Sequence, residues 1–114
     1  RNKIANYYTK KINSKFEKPY VPKKYFSSWA QYSLLAKNKK HKNKIILSMK
    51  KSDIPIMIYY KIPLHLQKCF DNLGYKLGDF PVSEDCSKRI FSIPMHPYLT
   101  SKIQNTVIEV LNRE

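Results

Sequence analysis

Hydroxyl, imidazole and amide side chains gather in two proline-rich segments of the chain. The first, residues 54–67 (IPIMIYYKIPLHLQ), carries Tyr59, Tyr60, His65 and Gln67. The second, residues 89–100 (RIFSIPMHPYLT), carries His96. Each segment is predicted to be a strand that runs into a corner, and these groups can bind a polar ligand through hydrogen bonds. A single tyrosine at a strand end, or a single loop histidine, is nevertheless more often a packing or surface residue.

Nucleophilic catalysis finds little support in the sequence. A cysteine–histidine pair would have to combine Cys69 or Cys86 with His65 or His96. Cys86 follows Val82 by four residues in a predicted helix, which places it on the apolar face and favours a packing role. Acidic side chains are few, and no two of them are spaced for acid–base work. No catalytic residue is assigned within these 114 residues.

The patterns of a metal site, a phosphate loop and a membrane span are also missing. The three histidines lie far apart and the two cysteines form no CxxC pair, so no metal is expected. Two glycines are too few for a glycine-rich loop. No apolar run approaches the ~20 residues of a membrane span, and no signal peptide is present. We expect a reduced, cytoplasmic setting. The start without methionine, inside a predicted helix, indicates a fragment.

The net charge of +14 raises the possibility of a nucleic-acid-binding module. Almost all of the positive charge is lysine, however, since the only arginines are Arg1, Arg89 and Arg113. Arginine is favoured where planar, bidentate contacts to phosphate or guanine are made. Lysine, asparagine, isoleucine and tyrosine share A/T-rich codons, so a biased genome explains much of the charge. A free-standing basic module that binds nucleic acid or another polyanion is therefore the alternative function, and the less favoured one.

Hydrophobic periodicity and helix-end signals predict an alternation of helices and strands. The predicted order is a helix over residues 1–15, a strand over 28–36, a helix around 45–52, a strand over 54–60, a helix that begins near Pro81, a strand over 90–93 and a last helix with a capping box at Ser101 and Gln104. One or two helical turns are expected before Gly74. This is an α/β (α+β) fold, with about three strands covered by helices. It forms one small domain, with a leading helix (1–16) and a sheet-and-helix body (17–114).

Taken together, these segments resemble the C-terminal region of the DegT/StrS-type nucleotide-sugar aminotransferases. Residues 74–100 read GYKLGDFPVSEDCSKRIFSIPMHPYLT, where that family typically reads GDFPxAExxSxxxLSLPMHPYLT before a final amphipathic helix. The words IPxMIYYxxPLHLQ, RNKIANYY and PYVPKKYFSSWAQYSLL also match the family's upstream parts. The resemblance covers essentially the whole chain, with several unusual words in the right order and spacing.

The resemblance implies a fold-type I, cytoplasmic, pyridoxal-phosphate-dependent homodimer that transfers an amino group from glutamate to a nucleotide-linked keto-sugar. It implies that the Schiff-base lysine and the other cofactor-binding residues lie in a larger preceding domain. Residues 1–114 alone are therefore expected to bind no cofactor and to be inactive. The small domain of such enzymes closes one side of the active-site cleft. The residues expected to face the nucleotide sugar are Tyr59, Tyr60, His65 and Gln67, with Gln31 and His96 as weaker candidates.

Three positions depart from the family pattern. Asp53 stands where glycine is common, Lys61 where proline is common and Lys42 where arginine is common. Lysine lacks the fork geometry of arginine, which matters if that position contacts a ligand. The departures leave the sugar, the nucleotide and the aminated position open. A remnant without function is a third hypothesis beside the aminotransferase and the basic module.

The sequence also predicts which of these side chains are buried and which are accessible. The first and last helices should bury their apolar faces, represented by Ile4, Tyr8, Ile103, Val107 and Leu111. The candidate ligand residues Tyr59, Tyr60 and His65 should lie at a rim of the domain with accessible polar tips.

Overall fold

The computed structural model describes all 114 residues as four α-helices, two strands and two short 3-10 helices. The helices and strands are α1 (Asn2–Lys11), β1 (Tyr32–Leu35), α2 (Lys39–Lys51), α3 (Pro81–Arg89), β2 (Ile90–Ile93) and α4 (Ser101–Arg113). The 3-10 helices, Leu64–Leu66 and Lys68–Leu73, lie between α2 and α3. The predicted α/β class is confirmed. None of the helices combines the length and hydrophobicity needed to span a membrane.

The sheet is a single antiparallel pair whose two faces differ in character. Tyr32 lies opposite Ile93 and Leu34 opposite Phe91, and all four side chains are buried in the core. On the other face the hydroxyls of Ser33 and Ser92 are 2.8 Å apart. The period-two alternation of a strand thus directs the apolar side chains toward the helices.

The predicted strand over residues 54–60 is wrong. Only Met57 pairs with the sheet, through a bridge in which its N–H and that of Ser92 donate to each other's carbonyls at 3.0 and 2.8 Å. Pro55 has no N–H to donate, so a regular ladder cannot extend through it. The sheet therefore has two strands rather than about three, and this bridge and one between Glu17 and Leu35 widen it at either edge.

The first and last helices pack on the sheet as predicted at four of the five positions. Ile4, Tyr8, Val107 and Leu111 are buried, whereas Ile103 is 47% exposed. The expectation for Ile103 is wrong because the buried stripe of α4 begins one residue later, at Gln104. Helix α1 also ends at residue 11, a turn earlier than the predicted residue 15.

The predicted capping box of α4 does not form, because the N-cap lies one residue earlier than predicted. Thr100 is the N-cap, and its hydroxyl accepts from the Ile103 N–H at 3.3 Å. Ser101 is the first helical residue. Gln104 cannot complete a capping box, since its buried amide donates to the Ile4 carbonyl at 2.8 Å and ties α4 to α1.

The two candidate caps give a direct stability test. Thr100→Ala is expected to lower the free energy of unfolding by about 0.5–1 kcal/mol, because the Ile103 N–H loses its partner. Ser101→Ala should change it by less than about 0.5 kcal/mol, since surface substitutions without a specific contact rarely do more. Urea unfolding followed by circular dichroism measures both. A larger loss for Ser101→Ala than for Thr100→Ala would restore the predicted box.

Candidate functional site

A cavity of about 200 Å³ brings together three of the six predicted ligand residues: Gln31, Tyr59 and His96. Gln31 directly precedes β1, and His96 follows β2 beyond Pro94. The Met57–Ser92 bridge holds the segment of Tyr59 against the same edge of the sheet. The remaining lining is provided by Ala30, Pro55, Met57, Ser92, Ile93, Pro94 and Met95.

Tyr60 joins this cavity through Gln31, whose Nε2 donates to the Tyr60 hydroxyl at 3.4 Å. The rings of Tyr59 and Tyr60 are 6.3 Å apart, and both side chains are about half exposed. His96 is exposed and Gln31 is half-buried. The polar tips of these four residues, which we call the Gln31 surface, are therefore available to a ligand. Amide, phenol and imidazole groups suit a hydroxyl-rich ligand, because each can donate or accept.

His65 and Gln67 lie apart from the Gln31 surface, in the segment of the 3-10 helices. Gln67 Nε2 donates to the Ile62 carbonyl at 3.3 Å, which occupies part of its amide. His65 is 9% exposed, so the expectation of an accessible imidazole is wrong for this residue, in contrast to Tyr59 and Tyr60. Its Nε2 lies 2.9 Å from Oε1 of Glu84, which satisfies this nitrogen in its buried position.

The Glu84 carboxylate connects three parts of the chain. It belongs to the first turn of α3, and its Oε1 accepts from the Gly78 N–H at 2.8 Å as well as from His65. Burial raises the pKa of the Glu84 carboxyl, but the hydrogen bonds from Gly78 and His65 outweigh it and hold the pKa below its usual value. Gly78 has a φ of 98°, a conformation that favours glycine. Glu84 is thus ionised at neutral pH.

A second cavity, of about 300 Å³, lies beside this pair and is mostly apolar. His65 forms part of its wall together with Leu64, Phe70, Leu73, Tyr75, Phe80 and Ser83. The His65 ring meets the Phe80 ring edge-on, with centroids 4.8 Å apart, and Phe80 meets Tyr75 in the same way at 5.0 Å. Residues 71–83 are otherwise exposed.

The residue of this contact network that the sequence did not indicate is Glu84. Its position after Pro81 is typical of an acidic residue at a helix start. Nothing in the sequence links it to His65, nineteen residues earlier. The prediction that Cys86 lies on a buried apolar face together with Val82 is also wrong. Val82 is 77% exposed and Cys86 is only half-buried, because Glu84 faces inward.

The residues of this chain do not fit a pyridoxal-phosphate site. The only buried lysine is Lys42, whose Nζ donates to the Ser87 carbonyl at 3.3 Å. Burial, and then the neighbouring Lys39, lower the pKa of Lys42. It lines neither cavity described above. No group of three or more His, Cys, Asp or Glu side chains is placed to hold a metal ion.

Comparison with known proteins identifies the chain. The model of the DegT/DnrJ/EryC1/StrS aminotransferase family matches residues 1–112. The chain belongs to this family. The relationship predicted from the sequence motifs is confirmed, and nothing in the comparisons supports a nucleic-acid-binding module.

Some relatives of this aminotransferase-family chain match along nearly its whole length. It is 27% identical over 99% of its residues to a dTDP-3-amino-3,6-dideoxy-alpha-D-galactopyranose transaminase of Aneurinibacillus thermoaerophilus, of which it covers 30%. A crystal structure of a DegT/DnrJ/EryC1/StrS aminotransferase from Brucella abortus superimposes with a TM-score of 0.86 at 35% identity, over 98% of this chain and 29% of that one.

A protein of Streptococcus pneumoniae, described as a sugar aminotransferase and solved in its pyridoxal-phosphate form, has the same fold. The TM-score is 0.85 at 22% identity, over 98% of this chain and 29% of that one. The fold is therefore one found within fold-type I aminotransferases. The chain spans between 16% and 30% of the length of curated relatives that it matches.

Proposed function

We propose that this chain is the small C-terminal domain of a pyridoxal-phosphate-dependent nucleotide-sugar aminotransferase, and that it forms one wall of the active-site cleft. Family members are nucleotide-sugar aminotransferases that depend on this cofactor. The proposed reaction is amino transfer from glutamate to a keto-sugar carried on a nucleotide. The observation that carries the proposal is the Gln31 surface, an accessible group of amide, phenol and imidazole tips beside a cavity within a family fold.

The role of the Gln31 surface is to bind and orient the nucleotide sugar. Gln31 and the two tyrosines can hold sugar hydroxyls or a nucleotide through directional hydrogen bonds, and His96 can add a further donor or acceptor. Orientation of this kind accelerates a reaction because the reacting groups are held in place before bond changes occur. Pro55 and Met95 add apolar surface to the lining of the cavity.

His65 and Gln67 are retained as proposed substrate residues of a second group. They lie on the 3-10 segment, close in sequence to Tyr59 and Tyr60 but with different partners. A ligand that extends beyond the Gln31 surface, as a nucleotide diphosphate sugar does, can contact both groups. The Glu84 bond fixes one ring nitrogen of His65 and leaves the other free for such a contact.

The cofactor would be held outside residues 1–114. When bound, pyridoxal phosphate supplies the electron sink that amino transfer needs. We place its lysine, its phosphate-binding residues and the acid partner of its ring in a larger preceding domain, since Lys42 donates to a backbone carbonyl and lines neither cavity described above. On this proposal no residue of the chain is catalytic, and the working protein is a homodimer with glutamate as amino donor.

A cytoplasmic location is part of the same proposal. Cys69 is exposed and Cys86 is half-buried, and both are free thiols. Free, accessible cysteines are typical of a reducing compartment.

The proposal is tested by reading the gene on the N-terminal side of Arg1 and assaying its product. We expect an in-frame domain with a cofactor lysine, and glutamate-dependent amination of a keto-sugar nucleotide by the purified protein. Replacing that lysine by alanine should abolish amino transfer, because the cofactor then has no covalent anchor. An unrelated upstream sequence, or a product with the lysine domain but without transamination of any nucleotide-linked keto-sugar, would contradict the proposal.

A further inference from the structure

The pair formed by His65 and Glu84 is a buried polar contact within an otherwise exposed segment. The two side chains are 7% and 9% exposed, and their contact of 2.9 Å joins the first 3-10 helix to α3. Oε1 of Glu84 also accepts from the Gly78 N–H at 2.8 Å. The carboxylate oxygen that meets His65 is therefore itself fixed by the backbone, so its direction does not depend on the imidazole alone.

The chemistry of this contact determines which ring nitrogen carries a proton. An ionised carboxylate has only acceptors, so the Nε2 of His65 must be the donor. In the neutral ring the other nitrogen, Nδ1, is then left with a lone pair. Nε2 makes the only hydrogen bond of the ring, so Nδ1 remains free to accept from a further group.

The imidazole also packs against aromatic rings. Phe80 contacts the His65 ring edge-on, and Tyr75 contacts Phe80 in the same way. The cavity beside it is about 300 Å³ in volume, with Ser83 as the only other small polar residue in its wall. An oriented imidazole in the wall of a mostly apolar cavity can give a binding site directional specificity.

We propose that Glu84 is a positioning residue, which holds the His65 ring so that Nδ1 offers its lone pair to a hydroxyl or N–H group of the nucleotide sugar. This inference rests on the proposed function, and it assigns Glu84 no contact with the ligand. A purely structural pair would fix the same tautomer, because the carboxylate accepts from Nε2–H in either case. The positioning role requires in addition that Nδ1 contact the ligand.

Nitrogen-15 NMR of the His65 ring in the 114-residue chain tests the tautomer without any ligand. We expect Nε2 to resonate as a protonated nitrogen and Nδ1 as a lone-pair nitrogen. Glu84→Gln should preserve this pattern, because the Gly78 N–H keeps the amide oxygen in the place of Oε1. Glu84→Ala should give an average of both tautomers. Glu109→Gln, a change at an exposed acid on α4, is the matched control and should alter nothing.

Titration with dTDP-glucose and with UDP-N-acetylglucosamine then tests the ligand contact. A saturable shift of His65 Nδ1 is expected with at least one probe. Glu84→Ala should raise its Kd about tenfold, equivalent to ~1.4 kcal/mol, while Glu84→Gln stays within about threefold. A protonated Nδ1 in the wild-type chain would overturn the inference. The inference would also be overturned if His65 kept one tautomer but neither probe shifted its resonances, while those of Tyr59 and His96 shifted. That result would leave the proposed function intact. Failure of all these residues to respond would count against both.

Discussion

The purified 114-residue chain is expected to form no saturable one-to-one adduct with pyridoxal phosphate and to transfer no amino group from glutamate. Lysine amino groups have an ordinary pKa of ~10.4 and are mostly protonated at neutral pH, so exposed lysines react only weakly and without preference. Lys42 is the best internal candidate, because its burial lowers its pKa. Its Nζ nevertheless donates to the Ser87 carbonyl, and Lys42 lines neither of the cavities described above.

This expectation is tested by titrating the chain with pyridoxal phosphate, then adding glutamate, while the absorbance of the cofactor is recorded. A weak, non-saturating spectral change that glutamate does not discharge is the expected result. Lys42→Arg, which restores the residue common in the family, should leave that change unaltered. A stoichiometric band that glutamate discharges and that Lys42→Arg removes would mean that the chain contains a complete cofactor site, contrary to our account.

Most helices could be predicted from the sequence, because the residues that start and end a helix and the spacing of its apolar residues are local signals. Pro81, Glu84 and Arg89 mark the limits of α3, and the apolar spacing of α4 is regular. The apolar run of residues 54–60 was less informative about its secondary structure. An apolar run can form a strand only if its backbone meets a partner, and a single pairing at Met57 cannot be distinguished in the sequence from a full ladder.

The candidate site could likewise be predicted only where short sequence motifs mark its residues, and not where it depends on contacts between distant residues. The motif words located Gln31, Tyr59, Tyr60 and His96, and the fold gathers these residues at one edge of the sheet. Glu84 was not predicted as a site residue, because its role depends on a contact with His65, which lies nineteen residues earlier in the chain. Likewise, Ser101 and Thr100 are both acceptable caps, and the choice between them depends on Gln104 being drawn toward α1.

The central claim is that the Gln31 surface faces the nucleotide sugar, and it predicts which half of the reaction depends on that surface. In the protein produced from the whole gene, the double variant Tyr59→Phe/His96→Ala should slow the sugar-nucleotide half-reaction about 30-fold. Two lost hydrogen bonds of about 1 kcal/mol each account for this size. The glutamate half-reaction should change by less than about twofold, because the proposed role of this surface is to bind the nucleotide sugar and not glutamate. Tyr25→Phe/Asn43→Ala, at exposed positions outside the cavity, is the matched control.

Single-turnover spectroscopy of the two half-reactions, measured separately, is the most direct test. The account predicts a selective defect: a slow reaction with the keto-sugar nucleotide, a normal reaction with glutamate, and a control variant that behaves as wild type. A double variant that slows both half-reactions equally, or that slows only the glutamate half-reaction, would contradict the claim that Gln31, Tyr59, Tyr60 and His96 form the sugar-nucleotide side of the cleft.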